Sequence, residues 1–145
     1  MKDIDIENPK NCVVNLVKKI KRNMTRKNDQ VMRKFNISSG HFSILTAIYN
    51  HKGLKASQLV HIFEMEKSTI SRELKILENK KLIEFDKQSK GRGKAICITE
   101  KGKVTYEKAY QEWRKIQEKT IKCIGKDNYK ALMDINAKLM DFDIS

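Results

Sequence analysis

The chain has 145 residues, of which 39% are hydrophobic, enough for one ordinary domain with a modest core. Lys and Arg number 31 against 18 Asp and Glu, a net charge of +13 and a pI near 9.7, and this excess points to a polyanion: nucleic acid or an anionic membrane surface. No apolar run approaches the ~20 residues of a spanning helix, the first residues are acidic and unlike a signal peptide, and Cys12, Cys97 and Cys123 are too few and too widely spaced for a disulfide framework or a zinc knuckle, so a cytoplasmic protein without a membrane partner is expected.

Asn8 followed by Pro9 reads as a cap and first-turn pair opening a long helix, along which Val13, Val17, Ile20, Met24, Val31 and Phe35 trace an apolar stripe. A second stripe, Phe42, Leu45, Ile48 and Tyr49, ends at Asn50-His51-Lys52-Gly53, where Gly53 can supply a left-handed helix stop. Ala56, Leu59, Val60 and Phe63 recur at i, i+3, i+4 and i+7, and a break at Glu64-Met65-Glu66 separates them from the next helix. This is helix-turn-helix spacing. In the segment from Lys67 to Glu78, Ile70, Leu74 and Leu77 share one face, while Ser68, Ser71, Arg72 and Lys75 share the other. A surface helix normally mixes acids with bases on its outer face. Hydroxyls and cations there suit a duplex, because Arg can grip guanine O6 and N7 while Ser, Thr and Lys reach phosphates or base edges.

Leu82–Phe85 and Ala95–Thr99 read as two short strands flanking the tip Asp86-Lys87-Gln88-Ser89-Lys90-Gly91-Arg92-Gly93-Lys94. Lys87, Lys90, Arg92 and Lys94 make that tip a positive finger suited to a narrow minor groove, and its glycines leave the backbone free to approach phosphates. Beyond it Thr99 reads as the cap of a helix lined by Ala109, Trp113, Ile116, Thr120 and Ile124, which Gly125 breaks. A last helix carries Tyr129, Leu132, Met133, Asn136, Leu139 and Met140 on one side. Residues 106–145 hold 8 Lys and Arg against 7 Asp and Glu, so the positive excess avoids the last helices, as expected if they face a second subunit. The terminal stripes can be buried by packing on each other or on another chain, and a symmetric dimer satisfies both.

The six glycines form no Gly-x-Gly-x-x-Gly or Walker-type loop, and no Ser, His and acid combination stands out. His41, His51 and His61 fall at ten-residue intervals on different elements, where solvated or core-edge histidines are far commoner than metal ligands. No enzymatic activity, metal or cofactor is expected.

With these elements in place the chain resembles the MarR family of bacterial winged helix-turn-helix transcription regulators over almost its whole length. Lys67-Ser68-Thr69-Ile70-Ser71-Arg72 is similar to that family's recognition helix, Leu82-Ile83-Glu84 to the start of its wing, and Ile98-Thr99-Glu100-Lys101-Gly102 to the wing's exit. The fold implied is mainly α with a small β-hairpin wing (α+β). A winged helix-turn-helix at 37–101 is flanked by dimerisation helices at 1–36 and 102–145.

The resemblance implies recognition helices in successive major grooves, about 34 Å apart on an inverted repeat, and wing arginines in the flanking minor groove. The DNA-binding set is then Lys67, Ser68, Thr69, Ser71, Arg72 and Lys75 on the helix, with Lys90, Arg92 and Lys94 on the wing. Arg92 matches the wing arginine by position, counted back from Thr99. The family commonly places an aspartate two residues before it as a clamp; here that position is Lys90, so a less preorganised wing that binds by charge more than by shape is expected. The resemblance also implies a small-molecule effector, such as an aromatic acid, in a crevice between the dimer helices and the DNA-binding lobe. Relatives that sense oxidants use a cysteine in the first helix, the place Cys12 takes, although no tyrosine lies in that helix to support its thiolate.

The expected function is that of a sequence-specific regulator of transcription that binds double-stranded DNA. It would act as a homodimeric repressor on a palindromic operator, released by a small ligand or by thiol oxidation. The competing reading is a basic winged-helix interaction protein that binds RNA or a protein partner without operator specificity.

Overall fold

The computed structural model describes residues 5–143. Within it the chain divides into two compact units, residues 1–109 and 110–145.

The first unit opens on a short 3-10 turn, Pro9–Asn11, in which Asn8 Oδ1 accepts from the Lys10 amide at 3.0 Å. Cys12 is extended (φ −60°, ψ 121°), and only then does α1 (Val13–Met32) begin. The Asn8-Pro9 pair therefore caps one tight turn and not the long helix expected of it; the same side-chain bond serves either kind of turn, and the extended Cys12 separates the two. A second 3-10 turn, Arg33–Phe35, closes on Asn36 in the left-handed region (φ 57°), so Phe35 lies beyond the α-helix whose stripe it was expected to end. Asparagine tolerates that conformation better than most side chains.

Helix α2 (Ser39–Asn50) starts with a reciprocal cap: Ser38 Oγ accepts from the His41 amide at 3.0 Å, and His41 Nδ1 accepts from the Ser38 amide at 3.2 Å. This is the capping-box arrangement with an imidazole in place of the usual Glu or Gln. Phe42, Leu45 and Ile48 are buried as their spacing predicts, whereas Tyr49 is partly exposed and donates its hydroxyl to Glu107 Oε1 at 2.9 Å. That bond to a carboxylate raises the Tyr49 phenol above its ordinary value. The helix ends on an extended His51, and Gly53 (φ 76°) turns the loop beyond it. Gly53 is thus a loop turn and not the helix stop expected from the sequence.

Helices α3 (Ala56–Phe63) and α4 (Lys67–Asn79) pack together, joined by a turn in which Glu64 takes a left-handed conformation (φ 50°). Leu59, Ile70, Leu74 and Leu77 sit in the core beneath them. Strands β1 (Ile83–Phe85) and β2 (Ile96–Ile98) pair antiparallel with Ile83 opposite Ile98 and Phe85 opposite Ile96. They are shorter than the expected runs, although the Thr99 amide still donates to Leu82 O at 3.1 Å across the hairpin. The Leu82 amide donates to Leu77 O at 3.0 Å, closing α4, and Thr99 is used as a helix cap. An isolated bridge between Lys55 and Ala95 and a bond from the Ile96 amide to Leu54 O (2.7 Å) tie the hairpin to the segment before α3.

Helix α5 (Glu100–Ile124) begins where Thr99 Oγ1 accepts from the Gly102 amide at 3.0 Å and donates to Lys81 O at 2.7 Å. Gly102 is buried, and a β-carbon there would lie 2.0 Å from Leu82 O and 2.8 Å from Ile98 Cγ1. Only glycine lets the helix cross the backbone so closely.

The second unit holds the remainder of α5 and α6 (Lys126–Met140), separated at Gly125 (φ 85°) as the sequence indicated. Tyr110 and Trp113 stack at 5.5 Å. No residue of α6 is buried, and Leu132, Met133, Ile135 and Leu139 are all exposed. Among the described residues no helix is long and apolar enough to cross a membrane.

Candidate nucleic-acid interface

Helix α4 has the two faces its sequence predicts. Ile70, Leu74 and Leu77 are buried, while Lys67, Ser68, Ser71, Arg72 and Lys75 are exposed. Thr69 is half-buried, one step off the open face. The outer face is less purely cationic than the sequence suggested, because Lys75 Nζ pairs with Glu78 Oε2 at 3.2 Å. An exposed pair of this kind is worth little, so Lys75 is readily released to another anion.

The other acidic residue of this helix, Glu73, reaches back to α2. Glu73 Oε2 lies 2.7 Å from Nε2 of His41, which is 7% exposed. The contact is close but not aligned as a good hydrogen bond. With Nδ1 already accepting from the Ser38 amide, the neutral Nε2–H tautomer is the one that fits. Burial pushes the His41 pKa below its ordinary value; Glu73 opposes that shift and Lys80 reinforces it. One imidazole thus completes the cap of α2 and meets α4 from behind, fixing the pose of the helix whose far side carries Arg72.

The wing is an ordered loop. The Asp86 amide donates to Ala95 O at 2.9 Å, Asp86 Oδ1 accepts from the Gln88 amide at 2.9 Å, and Ser89 Oγ accepts from the Ala95 amide at 2.7 Å. Gly91 and Gly93 take φ values of 84° and 78°, left-handed turns that a side chain would resist. Lys87, Lys90, Arg92 and Lys94 are all exposed. The Lys55 ammonium reaches the loop from the start of α3, donating to Lys90 O at 3.2 Å and Arg92 O at 3.1 Å.

Helix and wing meet at a cleft of about 600 Å³ whose rim carries Lys55, Lys67, Arg92 and Lys94 and whose floor includes Val60 and Phe85. Of the expected contact residues, Lys67, Arg92 and Lys94 come together here. Ser68, Ser71, Arg72 and Lys75 continue along the exposed face of α4, and Lys90 stands on the wing outside the cleft lining. Cys12 is exposed at the cap of α1 and is no part of this cleft; Cys97 is half-buried and Cys123 exposed.

Three residues of the site were not found from the sequence. Lys55 occupies the cap position of α3, where Ser, Thr, Asp or Asn is preferred, and that departure is a legible sign that its side chain works elsewhere. His41 follows Ser38 at the spacing of a capping box, a signal that could have taken it out of the solvent-facing class. Nothing local marks Glu73 as its partner.

Comparison with known proteins bears on this geometry. Residues 37–90 match the model of the MarR family. No curated protein matches the sequence. Among solved structures, the fold is similar to that of the Staphylococcus aureus MepR–DNA complex, with 21% identity, 92% of this chain and 97% of that one covered, and a TM-score of 0.81. A MarR/EmrR family transcriptional regulator from Acinetobacter sp. ADP1 gives 22% identity, 92% and 96% coverage and a TM-score of 0.82. The transcriptional repressor CouR, bound to a 23-mer DNA duplex, gives 16% identity, 95% and 99% coverage and a TM-score of 0.83. At these identities the likenesses speak for the fold, which is that of a winged helix with flanking terminal helices. The segment that builds the helix-turn-helix and enters the wing, residues 37–90, is the part of the chain that matches the MarR family.

Proposed function

We propose that the protein is a cytoplasmic, homodimeric regulator of transcription that binds double-stranded DNA at an inverted repeat and represses by occupying it. The observation that carries this reading is the continuity of one positive surface. Arg72 and the serines of α4 lie exposed on a helix whose first residue, Lys67, shares a cleft with Arg92 and Lys94 of the wing. A helix with base-reading side chains and a cationic loop beside it supply a major-groove and a minor-groove contact in one domain. The solved MepR and CouR structures, which carry DNA, support the same use of the fold.

Dimerisation is supported by the apolar residues left exposed at both ends of the chain, Val13, Val17 and Ile20 in α1 and Leu132, Met133 and Leu139 in α6. The division into a DNA-binding segment at 37–101 and dimerisation segments on either side follows. Release from DNA is assigned to a small-molecule effector or to oxidation of the exposed Cys12 thiol, and no catalytic step is part of the reading.

Selection of bound duplexes from a randomised library near physiological salt tests it. Enrichment of an inverted repeat is the expected result, and loss of the enriched site on adding oxidant, but not to Cys12→Ser, would identify the thiol route. Absence of any enrichment, with affinity that simply falls as salt rises, would leave counterion release alone and favour the basic interaction protein that binds RNA or another protein.

A further inference from the structure

Lys55 stands at an awkward place for a lysine. It is the cap residue of α3, and its backbone amide is satisfied by Gln58 Oε1 at 2.9 Å. An ammonium has three donors and no acceptor, so it cannot return the favour by capping the free amides of the helix. It also puts positive charge at the positive end of the helix dipole. Both effects disfavour lysine, and what offsets them lies more than thirty residues away. The Nζ atom donates to Lys90 O at 3.2 Å and Arg92 O at 3.1 Å, bracketing Gly91, while a β-carbon at Gly91 would come within 3.5 Å of the same ammonium. The Lys55–Ala95 bridge anchors the lysine's own backbone to the base of the same loop.

We infer that Lys55 is a positioning residue for the wing: its ammonium fixes the backbone on both sides of Gly91 and so sets the direction in which Arg92 leaves the loop. The inference rests on the DNA-binding reading and deepens it. An acid at position 90 would hold the arginine by its guanidinium and remove one unit of positive charge from the finger. The Lys55 clip holds the main chain instead, leaves the guanidinium for a narrow minor groove, and adds a cation to the rim of the cleft. The wing is thereby ordered and fully charged at once, despite the lysine at position 90.

The test is Lys55→Met, which keeps the aliphatic stem and removes the donors, with Lys55→Arg as the conservative variant. Hydrogen exchange on the free, full-length protein comes first. The hydrogen-bonded loop amides of Gln88, Ser89 and Ala95 should exchange roughly 5- to 30-fold faster in Lys55→Met, the range that one or two lost hydrogen bonds convert to, with the helix amides unchanged and Lys55→Arg restoring protection. Unchanged exchange in the wing would overturn the clip.

Binding to the selected operator comes second, in a cycle with Arg92→Ala. A positioning role predicts that Lys55→Met weakens wild-type binding and narrow-groove preference but adds little once Arg92 is gone, and that the salt dependence keeps its slope. Additive losses, with a slope reduced by about one, would make Lys55 a direct phosphate contact and overturn the positioning role. If the wild type selects no operator, the DNA-binding reading falls, and the exchange result still decides whether the clip exists.

Discussion

The core under α3 and α4 and the face of α6 are written in the same alphabet, apolar residues three and four apart, yet they end in opposite environments. Leu59, Ile70 and Leu77 are 0% exposed, whereas Leu132, Met133 and Leu139 are 48%, 58% and 48% exposed. Periodicity identifies which side of a helix is apolar; it does not say what covers it. In the helix-turn-helix the cover is the neighbouring helix a turn away in sequence. For α6 the apolar side remains open within its own unit, and burial of such surface at about 25 cal/mol per Å² is a strong drive toward association. The contrast separates residues that fold the chain from residues that the proposed dimer would use to meet a second copy.

The most severe way to break the contrast is to place charge on the open face. Leu132→Glu combined with Leu139→Glu alters no buried residue, so helicity should be retained while light scattering reports a monomer in place of a dimer. Operator affinity should then fall by roughly 10²- to 10⁴-fold, the gain that linking two half-sites confers. A variant that stays dimeric would remove α6 from the interface.

Next in size is a change on the closed side. Gly102→Ala forces a β-carbon against the Leu82 carbonyl, a backbone atom that cannot rotate away, and should cost about 1–3 kcal/mol or more in urea unfolding. An unchanged midpoint would mean that the seam between hairpin and α5 has room to spare.

At the surface, Arg72→Ala should cost about 1–3 kcal/mol on the selected operator and relax its base preference, whereas Lys94→Ala should weaken all duplexes alike and lower the salt slope by about one. Equal behaviour of the two variants would sink the assignment of reading to the helix and holding to the wing.

The smallest effect belongs to His41. Its folded pKa lies below the unfolded value of 6.5, so the unfolded chain takes up a proton that the native state refuses. The stability of the neutral form is complete above about pH 6.5 and declines as pH falls, until the folded pKa is passed. Urea midpoints between pH 7 and 5 should show that decline in the wild type and a flatter profile in His41→Gln; parallel profiles would clear His41 of the effect.

What could be read in advance follows the range of the interactions. The buried triplet Ile70, Leu74 and Leu77, the break at Gly125, the cap at Thr99 and the two strands around a Gly-containing tip are set by neighbours within one or two turns, and the sequence pattern carries them. The start of α1 is not fixed by its sequence, because Asn8-Pro9 satisfies a single 3-10 turn as well as it would a long helix, and only the extended backbone at Cys12 decides between them. The exposed polar and cationic face of α4 and the charged wing were legible in their residue types. Their supports were not: Lys55 and Arg92 are 37 residues apart and meet main chain to side chain, and His41 and Glu73 meet only because α2 and α4 share a core. Such pairs leave no periodic trace.

The seam at Thr99 and Gly102 sets the clock position of α5. A helix turns by about 100° per residue, so a slip of one position would swing Lys101 or Lys103 into a space that admits a hydrogen atom and nothing larger. The first turn of that helix and the base of the wing therefore share one register, and a torque applied to either is felt by both.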